Sequence, residues 1–182
     1  MLRNTRESWG WLARALHWIV AAMVLGLFAH GLWLEEIPDN AAHFQIWLHS
    51  AVGISLLGIA AAAFVWWLVN AVPADPAGTP EWQRRAARLA HWALYALIFG
   101  VAITGWALTG TMREPVAIAL FGFIEVPQLV GPDSGTHELF EELHEILANV
   151  LIGLVVVHVA AALYHHLVLR DGVLLRMLGR AP

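Results

Sequence analysis

The 182-residue chain contains no cysteine. That one absence excludes iron–sulfur ligation, c-type haem attachment, cysteine zinc sites and disulfides. Lysine is missing as well, so all ten basic residues are arginine. Charge of either sign is scarce, at 13% of residues against 59% hydrophobic, and the mean hydropathy is +0.65. A chain of that composition is an integral membrane protein rather than a water-soluble domain. The net charge of −4 carries little information until its distribution is read, and no nucleic-acid partner is expected. No internal repeat or low-complexity segment stands out. The opening MLRNTRES leads straight into a long apolar run with no small-x-small cleavage site behind it, so a retained first span is expected rather than a signal peptide.

What is present is four long apolar runs. Hydropathy places helices near 11–34, 46–70, 86–110 and 143–169, which predicts one all-α domain over 1–182, a four-helix transmembrane bundle in the lipid bilayer. The connection VPADPAGTPEWQRR, rich in proline, separates the second span from the third. Arg3, Arg6 and Arg14 precede or open the first helix, Arg84, Arg85 and Arg88 open the third, and Arg170, Arg176 and Arg180 follow the fourth. Only Arg113 falls on the other side, and nine against one puts both termini of a multi-pass membrane protein in the cytoplasm. Ten of the fourteen acids, Glu35 and Asp39 among them, fall outside, so the outer face carries −9 and the inner face +5 before histidines are counted. Most of the ten tryptophans gather near span ends, as an aromatic belt does. The apolar stretch 115–127 is too short to span and is predicted to be an interfacial helix near 115–124, or a lid on the outer edge of the bundle.

Histidine is the informative residue. Ionisable side chains inside a bilayer are costly and usually functional. His144 and His158 lie fourteen residues apart on the fourth span. At 1.5 Å per residue that is roughly 21 Å, and fourteen residues is almost four turns, so both leave the helix on nearly one face. By depth, His17 on the first span matches His158, and His49 on the second matches His144. Each pair could clamp one porphyrin iron between two imidazoles, as in an electron-transfer b-type haem without an open coordination site. The small residues Gly53, Gly58, Ala148 and Gly153 would leave room for a flat macrocycle, though they serve plain helix packing equally well.

The stretch LHEILANVLIGLVVVHVAAALYHHLVLRDGVLLRML resembles the fourth helix and tail of the bacterial cytochrome b561 family. ALHWIV around His17 and WLHSAVGIS around His49 resemble the family's first two haem-ligand motifs, and ARLAHWALYALIFGVAITGW resembles its third helix. The likeness covers essentially the whole chain. It implies a dihaem inner-membrane cytochrome that exchanges electrons with ubiquinone. Some members oxidise superoxide at the outer face and pass the electron to quinone at the inner face, which would make the chain a superoxide:quinone oxidoreductase.

The expected metal ligands are therefore His17, His49, His144 and His158 for two haem b groups. His91 could bond a haem propionate, contact quinone, face the interface with no special role, or ligate by displacing His17. His165 or His166, with Arg14, could bond and protonate a quinone beside the inner haem, although snorkelling to the interface explains them equally well. His30, His43 and His137 are expected to be solvated, with His137 also placed to cover the outer haem edge. Superoxide is an anion helped by a positive funnel, and Arg113 is the single outer arginine available for one. The acids around it favour a cationic periplasmic redox partner instead. Two rival readings are an anchor subunit relaying electrons between quinone and a periplasmic dehydrogenase or hydrogenase, and a non-haem metal or proton transporter. Composition does not decide whether the bundle forms a homodimer.

Overall fold

The computed structural model describes residues 1–34, 36–76, 78–120 and 124–180, without the side chains at 39–41 and 134. Glu35 and the Asp39 side chain, both assigned above to the outer face, lie outside the described residues, as do 121–123 of the expected interfacial helix. The helices are α1 (Trp11–Leu34), α2 (Asp39–Val69), α3 (Glu81–Thr111) and α4 (Ser134–Tyr164); a π-helical turn over His165–Leu169 extends α4, and α5 (Val173–Met177) follows. Among the described residues four helices are long and apolar enough to cross a membrane. α1 packs on α2, α2 on α3, α3 on α4, and α4 touches α1, closing the bundle.

Three helices begin five to nine residues earlier than hydropathy predicts, at 39, 81 and 134 rather than 46, 86 and 143. Apolarity marks where a helix meets lipid, whereas local capping marks where it starts. Pro38 and Pro80 occupy the N-cap positions of α2 and α3. Beside Pro80, Glu81 pairs with Arg84 at 2.7 Å and Arg85 at 3.0 Å, one turn along. Asp133 caps α4 by accepting the Thr136 N–H at 2.8 Å. Hydrogen bonds from Thr136 hold the Asp133 carboxyl below its ordinary range.

Large apolar side chains cover the outside, Val156, Val157 and Leu167 among them, while Val24, Leu56, Ala60, Ile98 and Leu151 form the core. That distribution suits lipid, where helices associate through close packing of small residues rather than through expulsion of water. Trp67 and Trp92 also pack on each other. With Phe64, Tyr95 and Phe99 they form an aromatic lattice between α2 and α3, ring centres 5.0–6.3 Å apart.

One end of the bundle gathers both termini. Asn4 Nδ2 donates to the Ala71 carbonyl at 2.9 Å, Ala74 N to Arg6 O at 2.8 Å, and Arg176 to Ala74 O at 2.8 Å. Gly10 packs directly on the Leu2 and Arg3 backbone, leaving no room for a Cβ.

At the opposite end, the segment predicted to be an interfacial helix contains two strands instead. β1 (Ile118–Leu120) and β2 (Ile124–Val126) pair antiparallel, Ile118 opposite Val126. Pro115 and Pro127 bracket the segment, and the β-branched Val116, Ile118, Ile124 and Val126 favour extended backbone. The hairpin is fastened to the end of α3: Gln128 Nε2 donates to Val116 O at 2.8 Å, Thr109 Oγ1 to Gln128 Oε1 at 3.1 Å, and Trp106 Nε1 to Pro127 O at 2.9 Å. The Val130 carbonyl lies so close to Gly110 that no side chain fits there.

Candidate functional site

α4 is one continuous α-helix through both of its interior histidines. Positions 144, 151, 158 and 165 fall on one stripe at seven-residue steps, with buried Leu151 between the two imidazoles. α1 and α2 run antiparallel to each other, and His17 of α1 and His49 of α2 each come within reach of one of these rings.

Toward the hairpin end, His49 and His144 have ring centres 6.3 Å apart. Toward the terminal end, His17 and His158 are 6.2 Å apart. Two imidazoles on opposite sides of one metal ion, with bonds of about 2.0–2.1 Å, have ring centres about 6.3 Å apart. Both pairs match that span. Two other contacts fall short of it: His91 to His158 at 5.5 Å and His30 to His49 at 5.6 Å. Among the described residues no group of three or more histidines and acids could hold a metal ion by itself. The pairs therefore suit a macrocycle that supplies the remaining ligands.

Local chemistry prepares these rings. The Val101 carbonyl accepts from His144 Nδ1 at 2.9 Å, which leaves Nε2 with the lone pair a metal needs. The Thr104 hydroxyl, bonded to the Gly100 and Val101 carbonyls at 2.9 and 3.0 Å, sits 3.3 Å from the same Nδ1. Gly105 lies against this ring; a Cβ there would stand 2.8 Å from His144 Cε1. Among the described residues His49 Nδ1 is buried with no hydrogen-bond partner, the kind of orphan that a ligand resolves. A cavity of about 490 Å³ opens between α1, α2, α3 and α4 here, lined by His49, His144, Gly31, Gly53, Gly105 and Ala148 among others. The residues fit a planar porphyrin held between two imidazoles.

The remaining predicted site residues divide between the two ends. His91 is exposed and donates Nδ1–H to Ala87 O at 2.7 Å, beside His158. Arg14 lies one turn before His17, its Nε buried without a hydrogen-bond partner among the described residues and its guanidinium pressed on Gly179 of the tail. His166 is half-buried in the π-helical turn. His165, in the same turn, is hydrogen-bonded through Nδ1 to Asp171. Arg113 is exposed beyond the end of α3, whereas Glu141 and Glu145 line the cavity beside His144.

Sequence reasoning missed two partners. His30, expected to be solvated, is half-buried, bonds Gln45 at 3.1 Å and stacks on His49. Its separation from Gln45 crosses a helix–helix turn, so no periodicity announces the contact. Asp171 is the other; its six-residue spacing from His165 fits no regular helix and becomes a contact only because the chain turns back. His137 bonds the Thr111 hydroxyl at 2.9 Å, and His43 is exposed.

Known proteins share this chain's pattern along nearly its whole length. The family model described as prokaryotic cytochrome b561 matches residues 8–180. The chain is 32% identical to cytochrome b561 homolog 2 of Escherichia coli (strain K12) over 98% of its own length and 95% of the relative's. It is 26% identical to the probable superoxide oxidase CybB of Yersinia pestis, over 94% and 96% of the two chains. It is 28% identical to a cytochrome b562 of Cereibacter sphaeroides over 90% of each chain.

Proposed function

The chain belongs to the prokaryotic cytochrome b561 family, whose members are membrane cytochromes b, and from that premise we propose a two-haem relay between a donor on one side of the bacterial inner membrane and ubiquinone on the other. In this reading His49 and His144 hold one b-type haem, His17 and His158 hold the second, and both termini are cytoplasmic. The observation that carries it is the match between the 6.3 Å and 6.2 Å imidazole separations, repeated at two depths on a single face of α4. Bound haem would supply one-electron chemistry. The protein's share is orientation: the Val101 carbonyl selects the His144 tautomer, Gly105 and Gly31 let backbone approach the rings, and Leu151 keeps the space between the pairs dry. His91 stands beside His158 at a separation too short to bracket a metal, which favours contact with a propionate or with quinone over ligation.

The quinone site in this reading lies at the terminal end, where Arg14, His91, His165 and His166 are the polar groups nearest the His17–His158 pair by depth. The test is the purified protein's haem content and dithionite-reduced spectrum, followed by electron transfer to ubiquinone-1. The expected result is two haem b per chain and re-oxidation by ubiquinone-1, slowed in His165→Gln at unchanged haem content. One haem per chain, or none, would overturn the reading.

For the donor, two observations point in different directions. The relative from Yersinia pestis is a probable superoxide oxidase, which supports superoxide. Glu141 and Glu145 at the cavity beside His144 support a cationic redox protein, because carboxylates repel an anion at that entrance.

A further inference from the structure

The turn that ends α4 is built in a costly way. The π-helical turn over His165–Leu169 is followed by Arg170 at φ 53°, a left-handed conformation at a residue that carries a Cβ, and then by Gly172 at φ 76°. This conformation returns the chain on itself and sets the Asp171 carboxylate on His165 Nδ1. The helix end does not need that carboxylate. The His165 carbonyl already accepts the Arg170 N–H, and the Asp171 N–H at 3.4 Å. The other carboxylate oxygen, Oδ1, accepts the Val173 N–H at 3.2 Å, so both oxygens are engaged and the side chain is held. The two side chains retain only 21% and 14% of their exposure, so the pair sits in a setting where solvent weakens it little. Strained backbone kept at a single turn is characteristic of a functional site.

Resting on the quinone reading above, we propose that Asp171 is a positioning residue: its carboxylate accepts the His165 Nδ1–H and holds the ring, so that Nε2 hands a proton to the quinone. His165 lies on the stripe of His144 and His158, seven residues and about 10 Å beyond His158 toward the terminal end. A carboxylate can only accept, which assigns the Nδ1 proton and leaves Nε2 as the exchangeable nitrogen. When a quinone oxygen has received an electron, the Nε2–H bond of the imidazolium breaks and an O–H bond forms. Asp171 balances the charge of the imidazolium before transfer, and water at the membrane surface restores the proton. Two such rounds, with two electrons from the donor, convert quinone to quinol.

The test compares wild type, Asp171→Asn, Asp171→Glu and His165→Gln, each purified with haem and reduced beforehand. Two oxidants are used: ubiquinone-1, whose reduction consumes protons, and ferricyanide, whose reduction consumes none. Asp171→Asn is expected to lower the maximal rate of re-oxidation by ubiquinone-1 about tenfold or more, with KM changed less than about threefold, by analogy with loss of a positioned acid–base group. Asp171→Glu should recover most of that rate, and ferricyanide should oxidise all four proteins alike. Wild type re-oxidised by ferricyanide but not by ubiquinone-1 would overturn the quinone reading and this proposal with it. Wild-type rates with both oxidants in Asp171→Asn would overturn the proposal alone. So would an equal loss with both oxidants in Asp171→Asn and Asp171→Glu, which would mark Asp171 as merely structural.

Discussion

His144 Nδ1 lies 2.9 Å from the Val101 carbonyl, so a backbone group on α3 decides which nitrogen of an α4 side chain is free to bind a metal. The same carbonyl lies 3.0 Å from the Thr104 hydroxyl, which is also 2.9 Å from the Gly100 carbonyl. Among the described residues no comparable bond fixes His49, whose buried Nδ1 has no hydrogen-bond partner there. The two members of this pair are therefore unequal: one ring is set by the fold, and the other is left to be satisfied by what it binds.

That pairing makes the first prediction. His49→Ala and His144→Ala should each remove one haem and leave the other, while His17→Ala and His158→Ala remove the complementary one. Reduced spectra and haem-to-protein ratios of the four variants check it. His91→Ala should keep full haem content, since its ring stands only 5.5 Å from His158; loss of a haem in that variant would make it the ligand in place of His17.

Gly105 offers a test that leaves every histidine in place. A Cβ added at this position would stand 2.8 Å from His144 Cε1, under the closest approach that side chains tolerate. Gly105→Val should displace the His144 ring, break its bond to Val101 and lower haem content toward one per chain. Gly53→Val, with nothing within 4 Å, should be the milder change before haem is bound. Retention of both haems in Gly105→Val would show that the ring can move aside without loss of binding.

The charge around the cavity separates the donors. A basic redox protein docking near Glu141 and Glu145 should associate more slowly as salt rises, since the Debye length shrinks from about 30 Å at 0.01 M to about 10 Å at 0.1 M. Replacing both acids by Gln should flatten that dependence. With superoxide as donor, the same double substitution should speed haem reduction and Arg113→Ala should slow it. Stopped-flow reduction across a salt series distinguishes the outcomes, and superoxide-driven reduction no faster than spontaneous dismutation would remove superoxide as donor.

The hairpin rests on Gln128. Gln128→Ala leaves the Val116 carbonyl without its side-chain donor and takes one partner from the buried Thr109 hydroxyl. An unsatisfied buried polar group costs about 1–3 kcal/mol. The expected result is a lower melting temperature in detergent and faster proteolysis between residues 112 and 133. Haem spectra should change little, because the helices carry the histidines.

Much of this molecule is legible along the chain because its controlling variable is depth. A bilayer imposes one axis, each span advances 1.5 Å per residue along it, and arginine counts supply an expected direction. Depth alone therefore pairs His17 with His158 and His49 with His144, and the structure brings those rings to 6.2 and 6.3 Å. Lateral relationships are another matter. Which carbonyl meets His144, which helix brings His30 onto His49, and how Asp171 returns to His165 depend on rotation about the helix axes and on one left-handed residue. The 115–127 segment shows the same division: its apolarity marks where it lies, but Gln128 and the end of α3 decide that its strands pair. Hydrophobic pattern determines position along the membrane normal, because transfer energy depends on depth. Hydrogen bonds and close packing decide everything around that axis, because lipid is indifferent to which side chains face one another.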